Sequence, residues 1–130
     1  MVLTKKANLP LLIVLLLSIA NCEGIERNCK NFHSGEFYTE TLVNGINYKS
    51  TFSRNSSNIQ IEEFEGKIDS SYVRWVNDCE MILSAVNPKK MSEKKNILIK
   101  ILTTNDSSYT YEYSYLGQKN KLKAKAIRIR

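Results

Sequence analysis

The chain predicts an all-β domain, an antiparallel meander of about eight strands forming a small closed or half-open barrel, preceded by a signal peptide. Three observations carry this. Turn signals recur roughly every 8–12 residues between short segments rich in β-branched and aromatic side chains. Asn44-Gly45 sits between two alternating segments, the strongest short hairpin signal. Tyr109, Tyr111, Tyr113 and Tyr115 alternate with Thr110, Glu112, Ser114 and Leu116, so all four rings fall on one face of a strand.

Residues 1–21 read as the export signal. Lys5 and Lys6 precede an apolar run from Leu9 to Leu17, and small or polar residues follow. The run is too short for a bilayer span, which wants about 20 apolar residues. The mature chain therefore works outside the cytoplasm, in the cell envelope or secreted. Two cleavage sites compete. Ser18 and Ala20 occupy the −3 and −1 positions of a signal-peptidase site, releasing a soluble chain at Asn21. Ile19-Ala20-Asn21-Cys22 resembles a bacterial lipobox, with Asn21 where a small residue is usual, and would leave Cys22 lipidated. An uncleaved anchor is the third possibility. Cysteine counting favours the lipoprotein: of three cysteines, lipidation of Cys22 leaves Cys29 and Cys79 to pair as a disulfide in an oxidising compartment. Residues 22–28 then form a short tether, and 29–130 the domain.

Along that domain, Glu36 to Leu42 and Ile46 to Phe52 form the first hairpin. The polar cluster Arg54 to Asn58 breaks the chain before Ile59 to Glu65, and Gly66-Lys67 makes the next turn. Tyr72 to Val76 and Cys79 to Val86 follow, then a long polar loop through Pro88 and Lys95, Ile97 to Thr103, and a turn at Asn105 to Ser108. In the last hairpin, a four-residue turn at Gly117 to Asn120 would set Tyr115 opposite Leu122, Tyr113 opposite Ala124 and Tyr111 opposite Ala126. Glu112 would then face Lys125, and Ser114 would face Lys123. Beyond Ala126 the apolar alternation changes phase, which predicts a β-bulge there or a frayed end.

The formal charge of +6 falls to +4 without Lys5 and Lys6, and it is uneven. Lys119, Lys121, Lys123, Lys125, Arg128 and Arg130 close the chain with no acidic residue among them. Lysines there suit an exposed edge strand. The alternative is a footprint, centred on Lys121, Lys123, Lys125, Arg128 and Arg130, for anionic polymer or lipid headgroups. No base-stacking aromatics interleave with them, so nucleic acid is not an expected partner.

The tyrosine ladder fills a barrel interior, lines a cavity for a small ligand together with Trp75, or stands exposed to stack on sugars. His33, the single histidine, reads as a surface or cap residue. Glu62, Glu63, Glu65 and Asp69 read as a solvated strand, because alternation sends Glu62 and Glu63 to opposite faces. There is no glycine-rich phosphate loop, no metal-ligand spacing and no nucleophile-base pair with sequence support. No catalytic residue, metal or cofactor is expected. Binding or structural work is expected instead, with a small ligand or an envelope protein as partner and the membrane reached through the lipid on Cys22.

Two blocks, Cys29 to Tyr38 and Val73 to Glu80, each hold a cysteine and an aromatic anchor. They resemble a family of short exported proteins of Gram-negative bacteria, lipoproteins by their leaders, over Cys29 to the C-terminus. The resemblance implies a cysteine at the start of the first strand stapled to the Trp75 strand, and it carries over no catalytic or binding residue. Some members of that family bear a DNA topoisomerase IV label. Such a subunit needs domains several times this size, and an exported chain does not meet chromosomal DNA.

Overall fold

The computed structural model describes residues 26–130; the segment expected to be a signal peptide and Cys22 lie outside them. Eight strands follow one another around a closed antiparallel barrel: β1 (Gly35–Val43), β2 (Ile46–Arg54), β3 (Ile59–Phe64), β4 (Lys67–Asn77), β5 (Glu80–Ala85), β6 (Ile97–Thr104), β7 (Ser108–Tyr115) and β8 (Leu122–Arg128). A 3₁₀ turn at Cys29–Phe32 precedes β1, and another at Met91–Lys94 lies between β5 and β6. Closure pairs β8 with β1 through Phe37, Tyr38 and Thr39, so the basic final strand is not a sheet edge. The edge-protection reading of its lysines falls with that pairing.

Local chemistry explains the hairpins. Asn44 and Gly45 both take positive φ, 51° and 78°, as a two-residue turn matched to strand twist requires. Glu65 and Gly66 repeat the geometry at 50° and 79°, so this turn sits one residue earlier than the sequence suggests. Strand β4 also starts at Lys67 rather than Tyr72, because Asp69 and Ser71 pair across to Glu62 and Gln60. Polar residues there hid a strand.

Strands β7 and β8 pair two residues away from the expected register. Tyr113 faces Leu122, Tyr111 faces Ala124, Tyr109 faces Ala126 and Glu112 faces Lys123. A shift of two leaves every side chain on its expected face, so alternation cannot detect it. The connection is correspondingly longer, from Leu116 to Lys121. No bulge interrupts β8 near Ala126; the shifts of register lie at Trp75/Asn77 and Ile101/Thr103. The phase does not change because Arg128 itself points inward, as described below.

The core fills one half of the barrel. Phe32, Phe37, Met81, Ile101, Tyr109 and Ala126 are at most 2% exposed and pack with Phe52, Val73 and Leu83. Each ring so buried is worth about 1.5–3 kcal/mol of hydrophobic transfer. Phe37 stacks on Phe52 at 5.3 Å between centroids and meets Tyr109 edge-on at 5.6 Å. Phe32 from the 3₁₀ turn plugs this end, 5.1 Å from Tyr109.

A disulfide joins Cys29, in the 3₁₀ turn, to Cys79, in the β4–β5 turn. With a sequence separation of 50 it removes about 4 kcal/mol of unfolded-chain entropy by the loop-closure argument. His33 caps the 3₁₀ turn, stacks on Trp75 at 3.6 Å and hydrogen-bonds the Asp78 carbonyl at 2.7 Å. Arg128 completes the plug. Its guanidinium donates to the carbonyls of Asn31 and Ser34 and lies 5.1 Å from the rings of Phe32 and Phe37. An arginine at an inward position thus caps carbonyls the strands leave unpaired.

Candidate functional site

The opposite half of the barrel is hollow. A cavity of about 560 Å³ opens at the end formed by the β1–β2, β3–β4, β5–β6 and β7–β8 connections. That volume lies within the roughly 300–1,000 Å³ of small-molecule sites. One wall is aliphatic, from Leu83, Ile97, Ile99 and Ala124. A second carries Tyr109, Tyr111 and Tyr113, whose rings tilt against one another at 5.5 and 5.8 Å. Thr41, Tyr48 and Phe64 stand at the mouth, with Tyr48 and Phe64 6.0 Å apart.

Beneath the phenols lies a polar floor. Arg54, only 4% exposed, donates from Nη1 to Gln60 Oε1 at 3.0 Å and from Nη2 to the Phe32 carbonyl at 2.7 Å and the Tyr109 hydroxyl at 2.9 Å. Its charge lies among aromatic faces, 5.0 Å from Phe37, 5.3 Å from Phe52 and 5.7 Å from Tyr109. Higher on the wall, Ser50 donates to the Glu62 carboxylate at 3.0 Å. Burial pushes the Tyr109 phenol above its ordinary pKa, opposed by the Arg54 charge, and burial raises Tyr111 strongly as well. Both remain neutral hydroxyls across the physiological range. They can donate or accept one hydrogen bond, but they are not bases.

Among the predicted ligand-lining residues, Tyr109, Tyr111 and Tyr113 line the cavity. Tyr115 shares their face but stands 40% exposed beyond the rim, outside the lining. Trp75 points inward at the closed end against His33 and does not reach the cavity. The five basic residues of the C-terminal footprint separate: Lys121, Lys123 and Lys125 are exposed, Arg128 turns inward, and Arg130 approaches Glu36 at 3.9 Å. Lys121 pairs with Glu112 at 3.3 Å. No group of three or more His, Cys, Asp or Glu able to hold a metal ion occurs among the described residues.

The residues that sequence reading missed are Thr39, Ser50, Arg54 and Gln60. Arg54 and Gln60 look like the flanks of a polar break. Their signal was parity: Tyr48, Ser50, Phe52 and Arg54 share one face of β2, as Gln60, Glu62 and Phe64 share one face of β3. A mixed polar and aromatic face could belong to either side of a sheet.

Arg54 Nε is a buried side-chain donor without a hydrogen-bond partner among the described residues, and Thr39 Oγ1 lies beside the Tyr111 hydroxyl. Both belong to residues that line the cavity. Buried polar groups are ordinarily satisfied, so the unmet Arg54 donor is an exception beside the cavity floor. Compared with known proteins, the chain matches no family model, no curated protein and no solved structure.

Proposed function

We propose that this is a non-enzymatic exported binding protein of the cell envelope, whose barrel holds a small, largely apolar ligand. The carrying observation is the single-ended cavity: apolar and phenolic walls, a polar floor and one mouth. Such a lining gains affinity from apolar burial and orientation from a few fixed polar groups. The titratable groups in it argue for binding over chemistry. The tyrosines are held neutral, and Glu62, the acidic lining residue, sits at an exposed position without a histidine or cysteine beside it.

The described chain enters the barrel at its closed end. Arg27 Nη1 donates to the Ile101 carbonyl at 3.0 Å and the Asn28 N–H donates to Thr104 Oγ1 at 2.9 Å. Residues 27 and 28 are therefore held at the closed end. A lipid on Cys22 would hold that end toward the membrane and leave the mouth facing away from it.

Titration of the mature chain with the neutral dye Nile red tests the binding reading. Fluorescence should rise and saturate with the native protein. An Ala124→Phe variant, whose ring intrudes on the cavity from β8, should weaken the rise. Equal dye binding by both proteins would show that the dye uses the outer surface and would remove the support.

A further inference from the structure

The cavity floor presents donors and almost no acceptors. A guanidinium carries five N–H donors and cannot lose its charge. The three bonds from Arg54 use three of them, leaving one Nη1 proton and the buried Nε proton without a partner among the described residues. These bonds also orient the neighbours. Because Gln60 Oε1 accepts from Arg54, its amide nitrogen faces away, and it makes no hydrogen bond among the described residues. Because the Tyr109 oxygen also accepts from Arg54, its own proton is left to donate elsewhere. Arg54, Gln60 and Tyr109 thus converge as a donor cluster at the blind end of an apolar chamber.

The charge is uncompensated as well. Arg54 forms no ion pair among the described residues, whose salt bridges are Lys67–Asp69, Lys121–Glu112 and Arg130–Glu36. Glu62 is held higher on the wall by Ser50. Aromatic faces soften the cost of a buried cation but do not supply a counter-charge. An unpaired buried cation with spare donors is complementary to an anion, and charge-assisted bonds to a carboxylate or phosphate are the strong ones.

From this geometry, and resting on the binding reading above, we infer that the ligand is an amphiphile with one acidic head. The head, a carboxylate or a phosphate monoester, seats against Arg54, Gln60 and Tyr109. The apolar body runs up the channel along the wall of Ile99 and Tyr113 toward Phe64 at the mouth. A neutral head could accept hydrogen bonds there but would leave the charge unmatched.

Calorimetric titration of the mature chain with dodecanoate, dodecyl phosphate and dodecanol tests this. At least one acid should bind about tenfold or more tighter than the alcohol, the scale of a charge-assisted bond. The tighter acid distinguishes a free fatty acid from a phosphate lipid; either supports the shared chemistry. Arg54→Met should erase the preference by weakening the acids more than dodecanol. Gln60→Leu, which keeps the guanidinium and its aromatic packing, should weaken the acids several-fold and the alcohol by less. Equal binding of acids and alcohol would overturn the inference while sparing the binding reading. So would an acid preference unaffected by Gln60→Leu and Tyr109→Phe, since the head would then sit elsewhere. No binding of any of the three would overturn both.

Discussion

The two ends of this barrel are made from the same strands yet spend their inward-facing residues differently. At the closed end, Phe32, Phe37, Phe52, Met81 and Ile101 interlock, Arg128 caps free carbonyls, and a disulfide ties the 3₁₀ turn to the β4–β5 turn. At the mouth, the same alternation yields threonine, serine, tyrosine and shorter aliphatic side chains around empty volume. The outer surface follows the division. Among the described residues, eight of the twelve exposed large apolar side chains (Ile46, Phe64, Ile68, Val86, Met91, Tyr115, Leu116 and Leu122) lie in or beside the connections at the mouth. Stability is concentrated at one end, and apolar surface is left in water at the other. That is the arrangement of a scaffold that carries a site rather than of a uniformly packed domain.

The sharpest way to break this comparison is to remove the staple. Replacing Cys29 and Cys79 together by alanine should lower unfolding free energy by about 4 kcal/mol, measured by chemical denaturation. If the ends are as separate as the packing indicates, Nile red binding should persist wherever the variant stays folded. Loss of binding in a folded variant would show that the mouth depends on the staple.

A pair of substitutions on one strand compares the ends directly. Ala126 is fully buried opposite Tyr109, and Ala124, two residues along, lines the cavity opposite Tyr111. Ala126→Phe should cost about 1–3 kcal/mol or more, because it overfills a closed core. Ala124→Phe should cost less than about 1 kcal/mol, because the ring enters space already present. Equal costs would mean that the upper half is as tightly packed as the lower.

Alkaline titration sharpens the boundary between the halves. Tyr109 and Tyr111 have folded pKa values raised above the ordinary 10.0, so the fold favours their neutral forms. Their contribution to stability is complete below that value. It declines as pH rises toward the folded values, since the unfolded chain ionises first, and is gone above them. Tyrosinate absorbance should therefore show part of the tyrosine population resisting ionisation until the barrel unfolds. Ordinary titration of every tyrosine in the folded protein would contradict the burial described for this wall.

The smallest effect belongs to the outer face. Lys121 and Glu112 form an exposed pair whose lysine side chain is 47% accessible, so Lys121→Gln should change stability by less than about 0.5 kcal/mol. Thermal melts at low and high salt should coincide for the native protein and the variant. A marked salt-dependent difference would restore the basic strand as an electrostatic element.

Much of the fold is legible in the residues because it rests on short-range signals. Asn44-Gly45 declares a two-residue turn, and the tyrosine ladder declares a buried face. What is hidden follows from the same periodicity. A two-residue slip between β7 and β8 preserves every facing, so only the length of the Leu116 to Lys121 connection decides it. Arg54 and Arg128 are long cations at inward positions. They read as solvent-facing until tertiary packing supplies the carbonyls and rings that hold them. The site was half visible for that reason: its phenolic wall was written in alternation, and its charged floor was not.

Native mass spectrometry of the protein purified from its own cells, beside the Ala124→Phe variant, tests the central claim most directly. The account predicts a non-covalent adduct on the native protein that gentle activation removes and that is diminished on the variant. Bare polypeptide mass for both, apart from any acyl group on Cys22, would contradict a ligand-holding barrel.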